Sequence, residues 1–337
     1  MFEFFLRLQP SPQDDAGLTD TRQVQHIYFL KTHKTASSTV TNILIRYGDT
    51  RNLEFVLPRN ILTPFNWPQR FHLDNAYPLH SEPNILCNHG RHSHNVLNQI
   101  FHKPKSKYIT IIRNPVENFK SSFAFFNMTK LLGLEASHHP VEAFIRAPDQ
   151  FKDRKDNRNI PSWYRVRNPM LFDTGLDHRH FHNKTAVKRH IDFINHEFDL
   201  IMIADYFDES LILLKRLLRW DFEDILYIKH NVAHGRLKEK STDEIKKQIL
   251  TWNWADSLFF DHFNETLWRK IQEIGPEFFE DLKTFRIINS HYQDLCKSIK
   301  NYQKLTQNDK KRQIYKTCVK MKRDNRIFYY EKINRVE

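Results

Sequence analysis

Apolar positions change their period several times along the chain. Val24 to Lys31 (VQHIYFLK) is a short apolar run rich in β-formers. A polar cluster follows, and then Val40, Ile43, Leu44 and Tyr47 recur at helical spacing within Ala36 to Tyr47. This pattern predicts strand, loop, helix. Leu53 to Leu57 and Asn84 to Cys87 predict two further short buried strands, and Asn95 to Phe101 predicts a helix. Lys107 to Arg113 (KYITIIR) is rich in β-branched residues and predicts the clearest strand. It breaks at Asn114-Pro115, where Asn suits an N-cap, Pro suits the first helical position and Glu117 completes a capping-box-like pattern. A second strand-loop-helix unit is therefore expected, running to about Phe126.

Asp153 to Asn168 is polar and interrupted and predicts a long loop, of the kind that often carries function. Phe198 to Ala204 predicts another strand, with a helix over Tyr206 to Trp220. Beyond Ser241 the period is helical throughout, with Trp252, Trp254, Leu258, Phe259, Phe263 and Leu267 marking a packing stripe. Strands alternating with helices predict an α/β fold: a parallel sheet flanked by helices, with a helical C-terminal extension. The expected organisation is an N-terminal segment at 1–23, a main domain at 24–296 and a tail at 297–337.

The chain has 337 residues, 40% hydrophobic and 27% charged, which excludes wholesale disorder. Its seven glycines, Gly17, Gly48, Gly90, Gly133, Gly175, Gly235 and Gly275, lie too far apart for a G-x-G-x-x-G or Walker loop. Any nucleotide must be held by other means. Of the net charge of +12, most sits between Lys297 and Arg326, which holds eleven Lys/Arg against two Asp/Glu. That segment reads as a solvated basic helix or arm rather than a specific nucleic-acid contact. Three cysteines are too few for a zinc ribbon. Cys296 and Cys318 can pair in an oxidising lumen, and Cys87 reads as a buried thiol. Sequons at Asn127, Asn183 and Asn264 permit a secretory route, and the apolar opening Met1 to Leu8 falls short of a membrane span.

Chemistry concentrates at two strand ends. Lys31-Thr32-His33-Lys34-Thr35-Ala36-Ser37-Ser38-Thr39 lies between a strand and a helix, where free N–H groups, the helix dipole, two lysines and several hydroxyls favour an anion. Ala36 takes the place that a P-loop gives to Gly. At the second strand end, Arg113 and Ser121 can reach one further phosphate from the same side. Two anion sites on neighbouring strand ends suit a nucleotide with phosphates at both ends of its ribose.

Phe29 to Thr39 and Ile111 to Phe123 (IIRNPVENFKSSF) resemble the 5′-phosphosulfate and 3′-phosphate motifs of Golgi carbohydrate sulfotransferases. Within that superfamily the chain resembles the galactose-3-O-sulfotransferases, and the likeness extends through Asn88-His89-Gly90-Arg91 and Trp252 to Gly275. The resemblance implies a P-loop-like sulfotransferase fold and 3′-phosphoadenosine 5′-phosphosulfate (PAPS) as donor. It also implies an acceptor with a terminal β-galactose, on a galactosylceramide-like glycolipid or a glycan, and a Golgi luminal setting close to membrane. Lys34 is assigned to the bridging or sulfonate oxygens. Lys31, Thr32, Thr35, Ala36, Ser37 and Ser38 are assigned to the 5′-phosphate, and Arg113 and Ser121 to the 3′-phosphate that separates this donor from ATP. His33 and His89 are the two candidates for the base, with His33 taken as base and His89 as a sugar-orienting residue. His92 and His94 are left outside the site. Phe65, Trp67, Tyr77, Trp163 and Tyr164 lie in loop-like segments where an aromatic can stack on galactose, although packing explains each of them better. No metal-ligand spacing stands out, and no metal is expected.

Three other readings compete. A kinase or phosphatase using the same loop lacks a metal-binding carboxylate set and leaves Arg113 and Ser121 without a task. A uronyl 2-O-sulfotransferase would share the lysine loop and histidine strategy. A non-catalytic binder of sulfated glycans or anionic lipid would depend on residues 297–326 instead of His33 and Lys34.

Overall fold

The computed structural model describes residues 22–62, 64–79, 81–156, 159–228, 241–298 and 309–335. The apolar opening, Gly17, Gly235 and part of the basic segment lie outside the described residues. Four parallel strands, β1 (Ile27–Leu30), β2 (Ile85–Leu86), β3 (Lys107–Ile112) and β4 (Leu200–Ile203), form one sheet in the order β2-β1-β3-β4. β1 pairs in register with β3 from Ile27↔Lys107 to Leu30↔Thr110, and β3 pairs with β4 from Ile109↔Leu200 to Ile112↔Ile203. Both central strands are buried almost end to end, so β1 is apolar throughout and only Lys107 and Thr110 interrupt the apolar run of β3.

Helix α1 (Ser37–Thr50) follows β1, α2 (His94–Ile100) follows β2, and α3 (Pro115–Phe125) follows β3. From β1 the chain moves to one side of the sheet at β2 and then crosses back to β3 on the other side. The loops leaving β1 and β3 therefore part at a topological switch point, where open α/β sheets form a crevice. The two strand ends singled out from the sequence flank this crevice.

Four helices that the periodicity does not reveal lie between β3 and β4: α4 (Met128–Leu132), α5 (Pro140–Arg146), α6 (Pro169–Asp173) and α7 (Lys184–Glu197). The first three are five to seven residues long, too short to display a period. The expected strand at Leu53 to Leu57 is a single bridge, Phe55↔Ile85. Val56 N–H donates to Ile85 O, but Pro58 has no N–H with which to extend the ladder. Among its described residues the polar stretch 153–168 is a loop, as expected, with a tight turn at Ser162–Arg165.

After β4 come α8 (Phe207–Leu218), α9 (Asp243–Trp252), α10 (Trp254–Ile274) and α11 (Pro276–Ser298). Phe259, Phe263 and Leu267 of the expected stripe are buried in the main core, while Trp252 packs against a satellite core around Phe119, Phe123 and Phe144.

The basic segment departs from the solvated arm expected of it. Residues 309–335 form α12 (Asp309–Lys322) and α13 (Asn325–Ile333), and both pack against α1. Cys318, Met321, Phe328, Tyr329 and Ile333 join the core, and Cys318 is disulfide-bonded to Cys296 on α11. Asn42 Nδ2 donates to Lys320 O at 3.1 Å, Lys320 pairs with Asp49 at 3.0 Å, and Phe328 meets Phe55 edge-on. Density of charge conceals this in the sequence, because the buried positions are few among many lysines. Cys87 is a buried free thiol, 3.3 Å from the Tyr329 hydroxyl. Among the described residues no helix is long and apolar enough to cross a membrane.

Candidate active site

The loop between β1 and α1 is held from within. Thr32 Oγ1 donates to the Ile111 carbonyl of β3 and lies 2.7 Å from Thr35 Oγ1. Ser37 Oγ donates to Thr32 O at 2.6 Å. Three hydroxyls assigned from the sequence to a phosphate, those of Thr32, Thr35 and Ser37, are thus buried and engaged in shaping the loop. Ser38 remains exposed. Lys34 and Ala36 adopt left-handed backbone, with φ of 59° and 63°. Ala36 precedes α1 without a side-chain cap, so the N–H groups of Ser37 and Ser38, which have no intrahelical acceptor, are available to an anion.

Lys31 is buried below this loop, and burial pulls its ammonium pKa down to about 8. Lys34 is also lowered, first by burial and then by Arg113. Arg113 leaves the end of β3 and donates to the Lys34 carbonyl at 3.4 Å, while its other nitrogen lies 3.7 Å from Glu117. Asn114 caps α3 as expected, accepting from Val116 and Glu117 N–H. Asn118 Nδ2 donates to His33 O at 2.9 Å and stitches α3 to the loop. Ser121 sits half-buried further along the same helix.

The two candidate histidines stack on each other, with ring centroids 4.3 Å apart and planes inclined by 18°. His33 Nδ1 donates to Asp173 Oδ2 at 2.8 Å, and the same oxygen accepts the His33 backbone N–H at 2.9 Å. A carboxylate can only accept, so Nδ1 carries a proton, and in the neutral ring Nε2 is the acceptor. Asp173 Oδ1 accepts from Trp67 Nε1 at 2.9 Å, and the indole lies against the His33 ring, 4.6 Å between centroids. His89 Nδ1 donates to Lys31 O at 2.9 Å, again leaving Nε2 unprotonated. Burial, followed by the neighbouring His33 and Lys31, holds the His89 pKa well below the usual histidine value, so its ring is neutral at neutral pH.

Asp173, Asn118 and the Trp67 contact were not found from the sequence. Asp173 ends α6, whose first turn is anchored by the buried Asp256 carboxylate through Met170 and Leu171 N–H at 3.0 and 2.9 Å. No local motif marks it. Among the aromatics considered for stacking, Phe65 is fully buried against Phe71, and Tyr77 packs on the core. Trp67 contacts His33 and Asp173, and Trp163 and Tyr164 cluster around His178.

His92 and His94 lie apart from the stack. His92 Nδ1 meets the Tyr28 hydroxyl at 3.1 Å, and His94 Nδ1 donates to Glu197 Oε1 at 2.8 Å. Ligand atoms of His92, His94 and Glu197 lie within 4.8 Å of one another, a trio that the sequence reading missed because Glu197 is remote in the chain. The Glu197 carboxylate accepts from His94 and lies 3.4 Å from His92 Nε2 and 3.9 Å from Lys103, while the buried His92 Nε2 makes no hydrogen bond.

The family model described as Galactose-3-O-sulfotransferase matches residues 6–323. Galactosylceramide sulfotransferase of Mus musculus is 35% identical over 277 residues, covering 80% of this chain and 63% of the relative. Galactose-3-O-sulfotransferase 3 of Homo sapiens is 34% identical over 254 residues, covering 74% of this chain and 58% of the relative. Galactose-3-O-sulfotransferase 2 of Homo sapiens is 33% identical over 263 residues, with 77% and 65% covered. The chain thus spans a little under two thirds of the length of these relatives.

Proposed function

The chain belongs to the galactose-3-O-sulfotransferase family, and on that premise we propose that it moves a sulfuryl group from PAPS to the 3-hydroxyl of a terminal β-galactose. The observation that carries this reading is the His33–Asp173 pair opening directly beside the Lys31–Lys34 anion loop. The donor fits the residues present: an uncapped helix start, two lysines and, across the switch point, Arg113 with Ser121 for a second phosphate. When bound it supplies an activated sulfonate with an anionic leaving group.

His33 Nε2 takes the proton of the attacking hydroxyl while that oxygen bonds to sulfur and the bond from sulfur to the bridging oxygen breaks. Asp173 holds the imidazole in the tautomer and orientation this requires, and favours the imidazolium that results. Lys34 neutralises charge on the bridging oxygen as it leaves with adenosine 3′,5′-bisphosphate. Lys31 and the Ser37 and Ser38 N–H groups hold the 5′-phosphate, and Thr32, Thr35 and Ser37 hold the loop that presents them. His89, neutral and stacked on His33, orients the sugar. The work is positioning and electrostatics rather than covalent catalysis.

We assign the chain to an oxidising lumen of the secretory route, a reading supported by the Cys296–Cys318 bond and by the named relatives. The acceptor is a galactosylceramide-like glycolipid or a β-galactoside glycan. The test is transfer from labelled PAPS to an equal mixture of galactosylceramide and a soluble β-galactosyl disaccharide, read by mass spectrometry. Product on either supports the reaction. Folded protein that binds neither PAPS nor adenosine 3′,5′-bisphosphate refutes it.

A further inference from the structure

Phe125 ends α3 with 65% of its surface exposed, at the rim of the site. The Lys34 ammonium rests over its ring, 3.8 Å from the centroid. Phe125 also meets Phe126 edge-on at 5.1 Å, and Phe126 reaches the His33 ring at 5.9 Å. An exposed phenylalanine is costly to keep in water and contributes nothing to the core here. Its ring occupies the ammonium that the transfer reaction needs elsewhere.

A cation over an aromatic face at an exposed position is held weakly, whereas a charge-assisted hydrogen bond to a phosphate or sulfonate oxygen is held more strongly. A donor in the Lys31–Lys34 loop therefore draws the ammonium off the ring. The vacated face then lies open next to Phe126, the ring that reaches His33. A galactose ring presents an apolar C–H face, which matches an aromatic platform.

We infer that Phe125 is the acceptor-side platform and that Lys34 covers it until the donor is bound, so that the donor prepares the acceptor site. This rests on the proposed sulfotransferase reading and adds an order to it. By linkage, the nucleotide and the sugar must strengthen each other's binding by the same factor.

The experiment is calorimetric titration of the full chain with lactose, without and with saturating adenosine 3′,5′-bisphosphate, together with acceptor kinetics. In the wild type the nucleotide is expected to tighten lactose binding about five-fold or more. In Phe125→Leu the coupling factor is expected to fall to about one and the acceptor KM to rise about ten-fold with kcat within about two-fold, and Phe125→Trp is expected to restore both. Lys34→Met, read by binding alone, is expected to bind lactose without nucleotide about as tightly as the nucleotide-bound wild type. The exposure of Phe125 makes its replacement harmless to folding. Retained coupling and an unchanged acceptor KM in Phe125→Leu, with normal nucleotide binding, overturn this inference alone. Failure of the wild type to bind nucleotide overturns the donor reading and this inference with it.

Discussion

The anion cradle is drawn from the consecutive residues Lys31 to Ser38, whereas the face around His33 brings together Trp67, His89, Asn118 and Asp173 from four separate segments. Asp173 lies 140 residues from the histidine it holds. The first region depends on local backbone geometry at the end of one strand, and the second on the packing of the whole domain. The cradle should therefore keep binding nucleotide under changes that abolish turnover. The histidine face should lose turnover through residues far from the nucleotide.

The largest effect separating the two regions is expected from His33→Asn. It should lower kcat by about 10³-fold while adenosine 3′,5′-bisphosphate binding stays within about two-fold, measured by single-turnover kinetics and calorimetry. Equal losses in both would merge the two regions into one. Asp173→Asn should follow with a loss of about 10²-fold in kcat and little change in the donor KM, because the carboxylate acts through His33.

On the cradle side the expected effect is smaller and depends on pH. In the free protein Lys31 keeps its proton only below about pH 8, and an anion opposite it favours the charged form. Above that pH, nucleotide binding must take up a proton, so affinity should fall by up to about ten-fold per pH unit between pH 8 and the ordinary lysine range. Lys31→Met should flatten this dependence in calorimetric titrations across pH 7 to 10. Affinity in the wild type that is constant across that range would remove Lys31 from the phosphate site.

The smallest effect on turnover is expected from the paired Cys296→Ser and Cys318→Ser change. It removes a 22-residue closure, worth about 3 kcal/mol on a chain-entropy argument, and should lower the melting temperature by several degrees. Because α12 and α13 pack against α1, and the bond from Asn325 Nδ2 to the cradle's Ser38 O does not involve the disulfide, kcat should remain within about two-fold at 25 °C. A larger loss of kcat than of stability would make the C-terminal helices part of the site.

The same contrast decides what could be read from the sequence. Lys31, Lys34, the uncapped start of α1 and the Asn114 cap are local, so their spacing along the chain already implies their arrangement. The inward turn of Thr32, Thr35 and Ser37 was not legible, since a hydroxyl in a loop gives no sign of which way it points. His33 and His89 could each be named, but their stacking depends on the β1–β2 register. Asp173 was beyond reach because α6 is five residues long and its anchor, Asp256, lies on α10. The C-terminal helices were misjudged because net charge reports the outer faces and is silent about Cys318, Met321, Phe328 and Tyr329 underneath.

Lys34 and Ala36 hold left-handed angles that non-glycine side chains disfavour by about 1–2 kcal/mol each. Bonds from Thr32, Ser37, Arg113 and Asn118 keep that geometry in place. A loop held by the chain's own bonds is preorganised for a nucleotide. Capture should proceed at the speed of encounter, and discrimination between nucleotides should reside in how long each one stays.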